Sequence, residues 1–293
     1  MRVLVTGASG YIGTAIVSTL IKAGHLVTGQ AYREASLATV QRLGARPLRA
    51  ELGHFSSLSA ELSAHDAVIH TAVDYQPASD REAVDTILAA ARSARGPFTF
   101  VYTSGVWVLG EQPMVADETT PTSRPAEAVA WRVEHEKLVL AAASGGLVTA
   151  IIRPGMVYGG KGGLVNGWFE STTQEGAAKV VGSGGQHWAF VHREDLAELY
   201  RLVLERRAAG VFHGVDGHVP RVEQAAAAYS KAAGKGAIRL IPVEQARTTM
   251  GPMADALAMD QHVASTRARD VGWVPARHGA VEEAEKMFRE WGA

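Results

Sequence analysis

Residues 6–13 read TGASGYIG, directly between a short β-rich run, Arg2 to Thr6, and a helical stretch from Thr14 to Ala23 that Gly24 stops. His25 to Gly29 then reads as a second strand. A strand, a glycine-rich turn, a helix and a strand in that order leave few folds open. Each glycine has its own steric task. Gly7 permits the tight turn, Gly10 lets backbone approach a pyrophosphate, and Gly13 lets helix pack close on strand. The N–H groups at the helix start, around Ser9, Tyr11 and Ile12, then face the phosphates. A glycine-rich loop of some other α/β fold is the alternative, but the placement between strand and helix favours dinucleotide binding.

The end of the second strand bears on which nicotinamide fits. An acid there accepts the ribose 2′-hydroxyl and repels a 2′-phosphate. Thr28-Gly29-Gln30-Ala31-Tyr32-Arg33 has no acid before Glu34, and Arg33 is suited to pair with a 2′-phosphate. NADP(H) is therefore expected over NAD(H), with a solvated loop arginine as the alternative reading of Arg33.

Further along, Arg46 to Ala50 leads into Glu51-Leu52, and Ala67 to Ala72, Phe98 to Tyr102 and Leu147 to Ile152 are short apolar runs. Continuous rather than alternating hydrophobicity is the mark of parallel strands buried on both faces. Helical segments lie between them, notably Asp80 to Ala94 and Ala126 to Ala143. The expected fold is α/β, a Rossmann-type doubly wound parallel sheet with a small mixed C-terminal substrate lobe. Ligands then sit at the C-terminal strand ends, which gathers Ala8, Ser9, Glu51, Ala72, Val73, Thr103, Ser104, Arg153, Pro154 and Gly155 around one cleft. The expected division is a dinucleotide-binding core over 1–157, a substrate-side loop and helix over 158–187, a return to the core sheet over 188–216, and lobe and C-terminal helices over 217–293.

Composition narrows the partners. A net charge of −1 and no long tract of one sign give no nucleic-acid surface. The chain has no Cys, which rules out disulfides and thiolate nucleophiles and fits a cytoplasmic location. The N-terminus does not read as a signal peptide, and no apolar run is long enough for a membrane span.

With those residues in place, the chain resembles an extended or atypical short-chain dehydrogenase/reductase of the NAD-dependent epimerase/dehydratase kind. The resemblance rests on TGASGYIG at 6–13, EL at 51–52, VIHTA at 68–72 and FVYTSGVWVLG at 100–110. It continues through RPGMVYG at 153–159, FVHREDLAELY at 190–200 and VGWVP at 271–275, and so covers nearly the whole chain. It implies a Ser or Thr that holds the substrate oxygen, a Tyr that moves the proton, and a Lys that lowers the Tyr pKa and binds the nicotinamide ribose. In physical terms this is general acid–base catalysis beside a polarised oxygen.

Here the pattern breaks. Aligned on Gly110, the usual Ser falls on Gly105, and Ser104 stands one place early, so the period-2 rule turns its side chain elsewhere. Counted back from Arg153, the family's Lys falls on Arg132 and its Tyr on Ala128. A shifted register, Val133 and Lys137, restores the Lys but not the Tyr. Arg132 is either a ribose or phosphate contact or a surface arginine paired with Glu136, its i+4 neighbour.

Substitutes for the missing acid are Tyr75, beside Asp74 after the fourth strand, and His135, which shares a helix face with positions 128 and 132. For each, a structural role is the competing reading: a pocket wall for Tyr75, a helix surface or subunit interface for His135. The expected substrate pocket comprises Asp74, Tyr75, Ser104, Gly105, Trp107, Lys161, Trp168, His187 and Trp188. Cofactor contacts are expected from Gly7, Ser9, Gly10, Tyr11, Ile12, Gly13, Arg33, Glu51, Leu52, Ala72, Thr103, Arg132 and Pro154. Neither His187 with His192 nor His213 with His218 reads as a metal site, so none is expected.

The substrate-side segments carry few basic residues (Lys161, Lys179 and Arg193), which suits a small, fairly apolar or aromatic molecule better than a sugar nucleotide. Three functions remain open: an NADP(H)-dependent oxidoreductase of a small carbonyl or alcohol with an altered proton route; a non-catalytic NAD(P)-binding sensor or scaffold; and an epimerase or dehydratase with recycled cofactor. The resemblance also leaves a homodimer open, through the helices at 80–94 and 126–143 by which members of that family often pair.

Overall fold

The structure, a computed structural model, describes residues 1–277 and 279–292. Seven strands form the main sheet: β1 (Arg2–Thr6), β2 (Leu26–Ala31), β3 (Arg46–Arg49), β4 (Ala67–His70), β5 (Phe98–Thr103), β7 (Leu147–Pro154) and β11 (Gly210–Gly214). All pair in parallel, in the order β11-β7-β5-β4-β1-β2-β3. The order reverses between β1 and β4, the switch point where such sheets open a crevice at their C-terminal ends.

Alternation along each strand explains the continuous apolar runs. Val3, Val5, Ala67, Ile69, Val101, Ala150 and Ile152 face one core, against α1 (Tyr11–Lys22) and, beyond β10, α7 (Arg193–Glu205). Leu4, Val68, Phe98, Phe100, Tyr102 and Ile151 face the other core. That side is covered by α3 (Ser59–Ser63), α4 (Pro77–Ser93) and α5 (Arg132–Ala141). Both faces are covered, so the runs stay mostly apolar, with buried polar exceptions such as Gln30, Thr99 and Thr149.

Three two-stranded parallel pairs lie outside the sheet: β6 (Gln112–Ala116) with β13 (Gln261–Val263), β8 (Met156–Tyr158) with β10 (Phe190–His192), and β9 (Ala178–Val181) with β12 (Ile238–Ile241). A third core packs Trp168 and Phe169 of α6 (Gly167–Glu175) on Trp188, Phe190 and Tyr229 of α8 (Val222–Ala232). Among the described residues, no helix is long and apolar enough to cross a membrane.

Two helices differ from the sequence reading. Ala126 to Ala143 is broken into a 3-10 turn, Glu127–Val129, and α5, because the N–H of Ala126 donates to Trp107 O at 3.0 Å and holds the segment against the loop after β5. Asp255 to Ala264 is a helix only over Met253–Ala258. The chain then extends as β13 because β6 offers an unpaired edge, with Gln112 N–H donating to Asp260 O at 2.8 Å. Alanine-rich helix propensity is overridden here by tertiary pairing.

Candidate functional site

The glycine turn is fixed by contacts that tolerate no side chain. Gly7 has φ +63°, and a Cβ there would lie 2.8 Å from Ala72 Cα; one on Gly13 would lie 2.1 Å from Gly7 O. The N–H of Gly10 closes the turn onto Gly7 O at 2.8 Å. Gln30, buried at the end of β2, braces the turn: its Oε1 accepts the N–H of Gly7 at 3.0 Å, and its Nε2 donates to Ala50 O. The residue at the strand end thus serves the turn itself, a role that only the neighbouring β3 exit reveals. At the start of α1, Gly10 offers no side-chain cap and the first turn holds no acid. Its N–H groups and dipole are left for an anion.

Thr6 extends this frame toward β4. Its Oγ1 accepts the N–H groups of Thr71 and Ala72 at 3.1 and 3.2 Å, which shapes the loop where the cleft begins. The cleft is lined by Tyr11 and Ile12 below, Thr71 to Val73 and Tyr75 on one side, and Thr103 to Trp107, Val129 and Arg132 on the other. Pro154 to Val157, Gly163 and Leu164 complete it. Tyr11 donates to Gly159 O at 2.7 Å, and burial pushes its pKa well up. It is a wall that the glycines of 159–163 wrap; a Cβ on Gly163 would lie 2.5 Å from its ring.

Arg132 reaches this cleft from the first turn of α5. Its Nη1 donates to Thr103 O at 2.9 Å, while its buried Nε has no partner. It does not pair with Glu136. That carboxylate is taken by Arg153, through Nε at 3.0 Å and a second bond from Nη2, in an ion pair buried on both sides. Lys137 points away, exposed and paired with Glu134 at 2.7 Å. Of the two registers considered for the missing Tyr and Lys, the structure therefore brings Arg132, not Lys137, to the cleft.

Ser104 was expected to turn away; it does not. The residue follows the end of the strand at Thr103 and is among those that line the cleft, while its Oγ is itself buried, with no partner among the described residues. Gly105 leaves space beside it, since a Cβ there would meet only Pro154 O, at 3.9 Å. Tyr75 stands at the mouth, half-exposed, with φ +58°, an uncommon conformation for an aromatic residue. Asp74 is exposed outside the lining and accepts the N–H of Gln76 at 2.9 Å.

His135 is a correction. It is buried, with Nδ1 2.7 Å from Asp80 Oδ2 and its ring edge-on to Trp131. Asp80 also meets His70 Nε2 at 3.3 Å and accepts the hydroxyl of Tyr102 at 2.8 Å. Burial opposes ionisation of Asp80, but the contacts from His135 and His70 and the Tyr102 hydroxyl overcome it and hold its pKa well below the ordinary carboxylate range. His70 Nδ1 lies 2.8 Å from Thr6 Oγ1, so this buried network braces the cleft floor from behind. His135 faces α4 and the sheet, not the cleft.

The lobe residues are corrected in the same way. Trp168 and Trp188 stack at 5.5 Å in the third core, where apolar bulk is best buried, and neither lines the cleft. Lys161 is exposed, outside the lining. His187 lies by Asp260, with Nδ1 2.9 Å from Oδ1. Trp107 does line the cleft, from the 3-10 turn Val106–Leu109, which Gly110 follows; a Cβ on Gly110 would lie 1.9 Å from Arg124 O. Glu51 is exposed, and Leu52 packs on the second core rather than in the lining. Arg33 is exposed at the start of α2 (Glu34–Arg42), and the adjacent Glu34 is paired with Arg49.

These features fit a bound dinucleotide: a glycine cradle with no room for a Cβ, an uncapped helix start, and the unpartnered polar atoms of Ser104 and Arg132 farther along the same cleft. Comparison with known proteins agrees. The model of the NAD dependent epimerase/dehydratase family matches residues 3–214. An uncharacterized protein of Saccharomyces cerevisiae is 30% identical over 98% of this chain and 99% of its own. A 4-hydroxy-2-methyl-3-oxo-4-farnesyl-3,4-dihydroquinoline-1-oxide ketoreductase of Stigmatella aurantiaca is 34% identical over 54% of this chain and 51% of its own. Among solved structures, human epimerase family protein SDR39U1, in a structure with NADPH, superposes with a TM-score of 0.80 at 21% identity, covering 99% of each chain.

Proposed function

The chain belongs to the NAD-dependent epimerase/dehydratase family, and from that footing we propose that it is an NADP(H)-dependent oxidoreductase acting on a small, largely apolar or aromatic carbonyl or alcohol. The observation that carries the reading is the cleft wall. Beyond the glycine cradle, Val106, Trp107, Val129, Met156 and Leu164 form an apolar stretch of it, beside the polar Thr71, Thr103, Ser104 and Arg132. Such a surface favours an apolar or flat aromatic body and offers little to a sugar diphosphate. The ketoreductase relative and the NADPH in the human structure support the same direction.

Bound NADP(H) supplies or accepts the hydride. Gly7, Gly10 and Gly13 let the backbone approach the pyrophosphate, and the N–H groups of α1 hold its charge. Arg33, beside a neutralised Glu34, is positioned for the ribose 2′-phosphate. Arg132 binds on the nicotinamide side from its anchor on Thr103 O. Its guanidinium stays charged, so it orients and does not relay protons. Ser104 Oγ is the group to hold the substrate oxygen. Tyr75 at the mouth, or water admitted beside it, carries the proton.

The test begins with cofactor-free protein titrated with NADPH and NADH, followed by NADPH oxidation with small aryl and alkyl ketones and aldehydes. Tighter, exchangeable NADPH binding and turnover of aryl ketones are expected. Cofactor released only on denaturation would point to recycling. Binding of neither nucleotide would overturn the reading.

A further inference from the structure

Two histidines and a carboxylate converge outside the lining of the cleft. His187, in the loop between β9 and β10, places Nδ1 2.9 Å from Asp260 Oδ1. His262 of β13 places Nε2 3.7 Å from the same oxygen, and the two imidazole rings lie 4.2 Å apart by their centroids. One ligand atom from each of the three residues falls within a set spanning no more than 4.8 Å. We propose that His187, Asp260 and His262 form a binding site for a divalent transition metal of the zinc type.

Ligand chemistry argues for this class of ion. Two imidazoles and a carboxylate suit zinc and its neighbours, whereas magnesium and calcium prefer an all-oxygen shell. At metal–ligand distances of about 2.0–2.1 Å, tetrahedral ligands stand about 3.3 Å apart. The observed spacings of 2.9 and 3.7 Å bracket that value, so small side-chain rotations bring the three atoms to it. Among the described residues, Asp260 has no lysine or arginine partner; its ionic neighbours are these two histidines. Three protein ligands leave a fourth position for water.

The frame holding the three side chains is anchored independently of any ion. Gln261 N–H donates to His187 O at 3.0 Å and His187 N–H donates to Asp260 Oδ1 at 2.7 Å, so the two segments are already joined. Gln261 is buried, and its Nε2 donates to Val106 O and Gly110 O at 3.1 and 2.6 Å. Gln261 and Val263 point inward, so the intervening His262 is left on the outer face beside Asp260. A metal would close a second link between segments about seventy residues apart in sequence, and binding to the folded state alone stabilises it.

Untagged full-length protein, stripped with chelator, is titrated with Zn2+ against a chromophoric competitor, with Mg2+ as the control. One Zn2+ per chain and a higher melting temperature in excess Zn2+ are expected, with no effect of Mg2+. Co2+ should give the visible absorption of a low-coordinate nitrogen–oxygen site. His262→Gln should weaken Zn2+ binding on the order of 100-fold, since it removes one of three ligands. Among the described residues the His262 side chain makes no hydrogen bond, so this variant should fold. Asp260→Asn keeps an acceptor for His187 N–H but loses the charge, and should weaken Zn2+ as well. No stoichiometric binding, or affinity in both variants unchanged from the unsubstituted protein, would overturn the proposal, the latter by showing that another of the 11 histidines holds the ion. None of the three residues lines the cleft, so either result leaves the nicotinamide reading untouched.

Discussion

Arg132 Nη1 donates to the carbonyl oxygen of Thr103 at 2.9 Å, fixing a buried cation at the C-terminal end of β5. The bond leaves Nε without a partner at the edge of the cleft. If Arg132 also holds the cofactor, Arg132→Ala removes a charge-assisted contact of about 1.5–3 kcal/mol, which is about a 10- to 100-fold loss of affinity. NADPH and NADH should weaken alike, because the contact proposed for Arg132 is on the nicotinamide side rather than at the 2′-position. Arg132→Lys should be intermediate, retaining charge without the fork. Fluorescence titration of both nucleotides, with circular dichroism to check folding, reads this directly. Unchanged affinity would reduce Arg132 to a brace for Thr103.

For the proposed 2′-phosphate contact the prediction is selective. Arg33 is exposed, and Glu34 beside it is paired with Arg49. Arg33→Ala should weaken NADPH by about tenfold or more, as loss of one charged hydrogen bond implies. NADH should barely change, because it has no 2′-phosphate to lose. The same titrations measure it, and an equal effect on both nucleotides would remove Arg33 from the 2′-site. Arg49→Ala frees Glu34 and should lower NADPH affinity by repulsion alone.

Asp80 is the group whose charge should matter most for stability in acid. Its carboxylate is buried and meets His135, His70 and Tyr102, which hold its folded pKa below the unfolded value. A depressed carboxylate stabilises the fold above the unfolded pKa of about 4, and that contribution is lost as pH falls toward the folded value. Asp80→Asn should therefore cost about 3 kcal/mol near neutral pH and flatten the decline of stability below about pH 4. Urea melts across pH 2.5–7 would show it. An unchanged acid limb would mean that other carboxylates dominate. His135→Ala should share the loss of stability but leave the pH profile of turnover as it was.

These outcomes also mark what the chain discloses by itself. The glycine turn is legible because its constraints are local: a strand, three glycines and a helix within one short stretch. The sheet is legible because burial on both faces leaves continuous apolar runs. Gln30 was not, since its partners are Gly7 and Ala50, and only strand pairing brings β3 beside β2. The direction of His135 was not, because the acid it meets lies on another helix, 55 positions away. Trp168 and Trp188 read in the sequence as pocket walls, since an aromatic ring in a glycine-rich segment has the same appearance whether it covers a ligand or fills a core. The cluster of His187, Asp260 and His262 depended on β13, which alanine propensity had hidden inside a helix.

Two tryptophans give the sharpest contrast. Trp168 is buried, stacked on Trp188 and edge-on to Tyr229, with no part in the cleft. Trp168→Ala should cost about 3–5 kcal/mol, the range for deleting a large buried aromatic. A variant that still folds should keep its KM for a given ketone. Trp107 is only half-buried and lines the cleft directly. Trp107→Ala should cost less stability but change selectivity, raising KM for small aryl ketones and admitting bulkier ones, because it removes a flat apolar wall and leaves space. Thermal melts and kinetics on a graded ketone series separate the two. A Trp168→Ala protein with full stability and altered KM would move that residue from the core to the substrate wall, and a Trp107→Ala protein with unchanged selectivity would take Trp107 out of the wall.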